Sequence, residues 1–306
     1  MTNTTLSIQS RQEEQSKISA NFLRRMDEAL SDPDEQRLFR AALKRAGLSW
    51  QNVIDQEGIQ QPQVDKVIAV LLPDIPDISL RMFARAELAD LGVMGYAAIN
   101  SDTVGRAMDL LYRYHELTSD RYFDTLEIDG DQAVVTPTPR MEHIHEFRNI
   151  AEDSLAGNWR TVTLLLGPGV DVSRALVRFG FPAPGYRQTF ADVFSCKVEF
   201  DALRSELRFP IGWLRQPVAS ANKTMADVCT AMCERLLGAD TSRETPQVVR
   251  RLLLSRPGRR MYRLEEAAEA LNLTSGQLRK RLYRSGTTYK QIVLDIRMAL
   301  ARHYLE

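Results

Sequence analysis

Four cations, Arg279, Lys280, Arg281 and Arg284, fall within six residues near the C-terminal end of the chain, interleaved with Leu278 and Leu282 four apart. On a helix that spacing puts the two leucines on one face and leaves Gln277 and several of the cations off it. Guanidinium and ammonium groups held in this way have two uses. They can donate to guanine O6 and N7 in a major groove, or they can neutralise backbone phosphates. A basic amphipathic helix taken alone is more often a solvated surface, so the element that holds it must decide.

Upstream, Leu264, Ala267, Ala268 and Leu271 repeat at helical spacing, and Leu278 and Leu282 open a second stripe. Asn272-Leu273-Thr274 supplies a turn between them. Thr274 and Gln277 have the spacing of a capping box, in which the hydroxyl takes an amide at the helix start and the Gln side chain reaches back. Two short helices around a three-residue turn form a helix-turn-helix, with 275–285 as the helix that would lie in a groove.

A chain of 306 residues exceeds what one hydrophobic core usually serves, and two unequal domains are expected. The formal net charge of zero hides an asymmetry: residues 247–306 carry 13 Lys and Arg against 5 Asp and Glu, and residues 1–246 carry 27 against 35. A basic module on an acidic body suits a nucleic-acid-binding segment fused to a sensing domain, because phosphates attract the first and repel the second. A charged, solvated surface remains the other reading of that balance. The division is expected to be 1–237, a linker at 238–246 opened by Gly238 and closed by Pro246, and 247–306.

The longest apolar runs, such as 67–72 and 162–166, are far short of the roughly 20 residues that span a bilayer. Residues 1–15 are polar and lack the basic start and apolar stretch of a secretory signal. A cytoplasmic protein with no membrane contact is expected. Three cysteines, Cys196, Cys229 and Cys233, are an odd number and point to reduced thiols; Cys229 and Cys233 share a helix face and are read as core, with no further ligands nearby for a metal.

The stretch Leu264-Glu-Glu-Ala-Ala-Glu-Ala-Leu-Asn-Leu-Thr-Ser-Gly-Gln-Leu-Arg-Lys-Arg-Leu282, with Gly286-Thr-Thr-Tyr289 and Asp295-Ile-Arg-Met-Ala-Leu-Ala-Arg-His-Tyr-Leu305, resembles the first helix-turn-helix and linking helix of the AraC family of transcription regulators. Upstream, Leu91-Gly-Val-Met-Gly-Tyr-Ala-Ala-Ile-Asn-Ser-Asp-Thr-Val-Gly-Arg-Ala-Met-Asp-Leu-Leu-Tyr-Arg-Tyr114, Phe179-Gly-Phe-Pro-Ala-Pro184 and Ser205-Glu-Leu-Arg-Phe-Pro210 are similar to the regulatory domain of the subgroup that includes ornithine and virulence regulators. The resemblance implies a transcription regulator, read here as an activator, with repression left open. It would work as a homodimer on double-stranded promoter DNA, under the control of a small-molecule effector, with RNA polymerase a candidate partner and no cofactor. The family's groove-reading positions correspond to Ser275, Gly276, Gln277, Arg279 and Lys280, and Arg281, Arg284 and Lys290 are better placed for phosphates. Gly276 departs from the family pattern, which commonly has a larger side chain there. The family's second helix-turn-helix is not in these 306 residues, which leads to an expectation of weak DNA binding by the monomer. It also leaves open a competing reading, a dimerising module that sequesters full-length partners.

The fold expected is an α+β regulatory domain followed by an all-α helix-turn-helix DNA-binding segment. Helices are expected at 23–47, 103–117 and 144–166, one hairpin at 122–128 and 132–137 about an Asp129-Gly130 turn, and another from 197–200 and 206–209. Chemistry-bearing constellations are few. Glu142, His143, His145 and Glu146 could hold a divalent metal weakly, although surface histidines need no ligand to explain them. Gly167-Pro-Gly169 lacks the Lys and glycine spacing of a phosphate loop, and no Ser or Cys nucleophile has a matched His, so no catalytic residue is assigned. Arg81-Met-Phe-Ala-Arg85 followed by Asn100-Ser-Asp-Thr-Val-Gly105 loosely resembles the arginine pair and polar-glycine motif that hold cyclic dinucleotides in PilZ domains, which makes Arg81 and Arg85 the effector candidates. Phe179, Phe181, Tyr186, Phe190 and Phe194 could line a pocket, but such stripes are usually core.

Overall fold

The computed structural model describes residues 17–55, 58–119, 121–237, 241–254, 261–271 and 273–305. Expectations on 1–15, on Gly238 and on Asn272 lie outside the described residues, as do the side chains of Glu142 and His145.

A short antiparallel pair, β1 (Lys17–Ser19) and β2 (Gly58–Gln60), brackets helices α1 (Asn21–Ala29), α2 (Pro33–Arg45) and α3 (Trp50–Asp55). The single helix expected over 23–47 is two, because Ser31-Asp32-Pro33 interrupts it. The Asp32 carboxylate accepts from the amides of Asp34 at 2.7 Å and Glu35 at 3.4 Å, and Pro33 at the first helical position needs no amide partner. The apolar period runs on across the break because both helices bury Leu23, Met26, Phe39 and Leu43 in the same core. Then follow α4 (Gln61–Leu71), α5 (Ile78–Arg85), α6 (Val93–Ile99) and α7 (Val104–Arg113), the last capped by Thr103, whose hydroxyl accepts from the Arg106 amide at 3.2 Å.

The main sheet has five strands: β3 (Tyr122–Asp129), β4 (Gln132–Pro139), β5 (Leu176–Arg178), β6 (Lys197–Glu199) and β7 (Glu206–Pro210), in the order β3-β4-β7-β5-β6. β3 and β4 form the expected hairpin. Asp129 pairs with Gln132, so the two-residue loop is Gly130-Asp131, one position later than expected, with φ +62° at Gly130 as a type II′ turn requires at its first central residue. The second expected hairpin does not form. β5 lies between its two strands, paired parallel with β6 and antiparallel with β7. Glu206 makes this junction ionic: it is buried on β7 and accepts from Arg178 at 3.1 Å, Arg204 at 2.7 Å and Arg208 at 2.7 Å.

The long α8 (Phe147–Leu166) lies between the sheet and the helical layer and is buried around most of its circumference. Its apolar residues Ile150, Leu155, Trp159 and Val162 fill the core, while Glu152, Asp153, Ser154 and Asn158 carry polar groups into it. α9 (Arg187–Val193) packs against α5. There Phe179, Phe190 and Phe194 pack ring against ring at 4.9–6.4 Å and are fully buried, as core aromatics do.

Burial pushes the Glu152 carboxyl up to about 7, although the Tyr186 hydroxyl and Arg148 both bond to it. The native state therefore holds this proton more tightly than the unfolded chain, whose carboxyl titrates near 4.5. The group's contribution to stability is greatest below that value and declines as the pH rises through about 7. Glu152→Gln keeps an acceptor for Tyr186 and removes the ionisation. Thermal melts are expected to show the variant near wild-type stability at pH 5 and more stable at pH 8, by about 1–3 kcal/mol.

α10 (Lys223–Leu237) buries Cys229 and Cys233 against the first core. A second, separate core is built by α11 (Thr241–Leu254), α12 (Leu264–Ala270), α13 (Ser275–Arg284) and α14 (Tyr289–Leu305) from Val249, Leu253, Ala267, Ala268, Leu278, Leu282, Ile292 and Ile296. Residues 241–246 of the linker expected at 238–246 are helical. α11 begins at Thr241 and contains Pro246, and the Thr241-Ser-Arg-Glu244 spacing is itself a helix-start signature that the proline masked in the sequence.

Candidate nucleic-acid interface and effector cavity

α12 and α13 meet in a helix-turn-helix held as the capping box requires. The Thr274 hydroxyl accepts from the Gln277 amide at 3.2 Å, and the Gln277 side-chain oxygen accepts from the Thr274 amide at 2.9 Å. Leu278 and Leu282 are fully buried against Ala267 and Ala268, whose small side chains let the two helices approach. Lys280 lies two residues from each leucine, about 180° around the helix from their stripe. Gly276, Gln277, Arg279, Lys280, Arg281, Arg284 and Lys290 are exposed and Ser275 half-buried. Arg279 stands 3.8 Å from Glu265, with both side chains about two-thirds exposed, a pairing worth little in water. No ion pair among the described residues engages Lys280, Arg281 or Arg284. A groove beside α13 is lined by Gly276, Arg279, Lys280 and Lys290.

Three groove residues were not singled out in the sequence. Arg263 and Arg297 line it from outside α13, and Tyr283 stands 80% exposed on its outward face. An apolar-to-polar alternation cannot show them, since they depend on how α12 and α14 pack; an exposed tyrosine within a basic helix was the one available signal. A Cβ at Gly276 would meet nothing closer than the Thr274 hydroxyl at 4.0 Å, so the space left by the missing side chain is open. The cap is an energetic fixture of this site. Thr274→Ala is expected to lower the stability of the helical module by about 1 kcal/mol, read as a lower urea midpoint.

The regulatory domain contains a cavity of about 120 Å³ between α1, α4, α5, α7, α8 and β3, on the scale of cavities that hold one small molecule. Its outer part carries the ion pairs Arg25 to Asp90 at 2.7 Å and Arg160 to Glu87 at 3.2 Å, all partly exposed. Its inner part carries Asp124, Ser154 and Asn158, all buried. The Asp124 carboxylate accepts from the Ser154 hydroxyl at 2.5 Å and the Asn158 amide at 2.8 Å, and the Tyr112 hydroxyl donates to Asn158 Oδ1 at 2.6 Å. Burial pushes Asp124 up to about 6 against these two bonds. The effector candidates from sequence are elsewhere. Arg81 is committed to Glu35, at 2.8 and 2.7 Å, and to the Ala29 carbonyl at 2.7 Å, and it fastens α5 to α1 and α2. Arg85 is exposed, and neither arginine lines the cavity. Gly105 is a packing glycine, since a Cβ there would come within 2.9 Å of the Leu214 carbonyl. His143 bonds Glu146 at 2.7 Å, and among the described residues no group of three metal-ligating side chains assembles.

Residues 38–218 match the family model described as the arabinose-binding domain of AraC transcription regulators, N-terminal, which covers more than half of the chain. The chain belongs to the AraC family. It is 31% identical over 231 residues to the ornithine utilization regulator of Pseudomonas aeruginosa, an alignment spanning 75% of this chain and 67% of that one. It is 22% identical over 236 residues to an uncharacterized HTH-type transcriptional regulator of Mycobacterium tuberculosis, with 75% and 67% covered. Among solved structures, the transcriptional regulator CdpR from Pseudomonas aeruginosa has a similar fold, with a TM-score of 0.50 and 20% identity over 90% of this chain and 87% of that one. The cavity lies mostly inside the AraC-type domain, and the basic helix-turn-helix lies beyond its matched boundary. No helix among the described residues is long and apolar enough to cross a membrane.

Proposed function

We propose that this AraC-family chain is a sequence-specific DNA-binding transcription regulator of the cytoplasm, controlled by a small molecule bound in its N-terminal domain. α13 enters the major groove. Arg279 and Lys280 reach base edges there with Ser275, Gly276 and Gln277 at the helix start, and Arg281, Arg284 and Lys290 meet phosphates. The observation that carries this reading is the capped helix with its two leucines buried and its cations turned to solvent. In the same reading the protein works as a homodimer. Met225, Val228, Met232 and Leu236 form an exposed row on α10 at the three-and-four spacing of a helix seam, a face that a second copy would cover by presenting the same row.

Fluorescence-anisotropy titration of a duplex tests the DNA half. Log K is expected to fall with log salt, and charge removal at Arg281 and Arg284 to reduce the slope by about 0.9 for each phosphate left without its cation. A binding curve indifferent to salt, or none at low salt, would remove the DNA assignment. The effector half is tested by isothermal titration of the chain with a metabolite panel, where at least one saturable heat is expected.

A further inference from the structure

The inner end of the cavity is acidic and incompletely satisfied. Asp124 is buried, and among the described residues no Lys, Arg or His lies within ion-pair distance of its carboxylate; its two bonds come from a neutral hydroxyl and a neutral amide. Arg121, on the cavity wall, is committed to Asp153 at 3.0 Å, to Asn149 at 2.7 Å and to Glu146. A second buried acceptor belongs to the same cavity wall. Gln61 is 4% exposed and lines the cavity, and its Oε1 has no hydrogen-bond partner. Its amide is not free to turn over, because Nε2 is donated to Asp65 at 2.8 Å. A buried carboxylate without a counter-ion and a buried carbonyl without a donor are both costly, and both call for N–H groups. The remaining wall is apolar, with Met82, Phe83, Met94, Met108 and Leu111 among it.

We propose that this cavity binds a small organic cation, an ammonium or guanidinium compound with an apolar body, its charged head donating to Asp124 and Gln61 and its body lying against the methionines and Phe83. The inference rests on the effector-controlled reading above and names the chemistry of that effector. The head replaces the missing counter-ion. The volume limits the body to about the size of a benzene ring or a short alkyl chain. An anionic ligand of the same shape would meet Asp124 as a like charge in a buried site, and a neutral one would leave the carboxylate without its ion.

The test uses the full chain and three probes with a phenyl ring on the same two-carbon tether: 2-phenylethylammonium, 2-phenylethanol and 3-phenylpropionate. The ammonium compound is expected to raise Tm saturably at millimolar concentration. At the same concentration the alcohol should give at most a fifth of that shift and the carboxylate none. Asp124→Asn is expected to weaken ammonium binding at least fivefold. The comparison of the three probes on the wild-type chain stands whether or not that variant folds. No saturable shift with the ammonium compound, an equal or larger one with the alcohol or carboxylate, or an Asp124→Asn chain that folds and binds the amine unchanged overturns the proposal. The effector reading fails by a different result, the absence of heat with every member of the metabolite panel.

Discussion

Arg121→Ala is expected to destabilise the regulatory domain by about 3–5 kcal/mol, a large part of the stability an ordinary domain has. Arg121 is 3% exposed and stands where β3 begins, joined to Asp153 and Asn149 on α8 and to Glu146 just before it. Removing it strands two carboxylates unequally. Glu146 is 29% exposed at its side chain and can recover water, whereas Asp153 is 4% exposed and cannot. Burial already holds the Asp153 carboxyl above its ordinary range, with Arg121 opposing; once the guanidinium is gone, the native state of the variant holds that proton more tightly still. The deficit of the variant should therefore grow as the pH rises from 5 to 8, and Asp153→Asn in the same chain should recover part of it. Urea midpoints at two pH values measure both effects. A deficit below about 1 kcal/mol at pH 8 would mean that the network is not the fastening described here.

Arg279→Ala and Lys280→Ala are each expected to weaken binding to a preferred duplex by about 1–3 kcal/mol, or about 5- to 150-fold, and to relax preference at one or two base pairs. Binding to unrelated duplexes should change far less. Arg281→Ala and Arg284→Ala should do the opposite, weakening all duplexes alike and flattening the salt dependence. The contrast follows from position on α13. Lys280 lies opposite the buried leucines and Arg279 lines the groove beside it, whereas Arg281 lies outside the groove. Competition titrations with preferred and unrelated duplexes separate the two classes; equal losses on both for Arg279→Ala and Lys280→Ala would make those residues phosphate contacts too.

The helix-turn-helix was legible in the sequence because each of its determinants is local: Thr274 and Gln277 are three apart, the leucines four apart, and the turn between two stripes is short. The β3-β4 hairpin was legible for the same reason, with glycine at the one loop position that needs positive φ. Sheet order was not. Lys197–Glu199 and Glu206–Pro210 are near neighbours in sequence, but their separation by Leu176–Arg178 depends on contacts thirty residues away. The division between α1 and α2 was written in Asp32-Pro33, a cap followed by a first-turn proline, and was overridden by an apolar period that continues across it. The cavity escaped notice for a different reason. Arginine pairs suggested an effector site, yet Arg81 serves an ion pair. The residues concerned, Asp153, Ser154 and Asn158, sit among other polar residues of α8, and only the packing of that helix shows that they are buried.

The assignment as a whole depends on the outward face of α13 lying against base edges. Tyr283 stands on that face, 80% exposed, and a photoreactive benzoylphenylalanine in its place disturbs no buried contact. With a duplex enriched from a random pool by binding to the chain, irradiation is predicted to cross-link position 283 to the DNA, with adducts clustered within one major-groove segment. Cross-links from position 283 to protein alone, or no DNA adduct while the duplex stays bound, would contradict the placement of this helix in the groove.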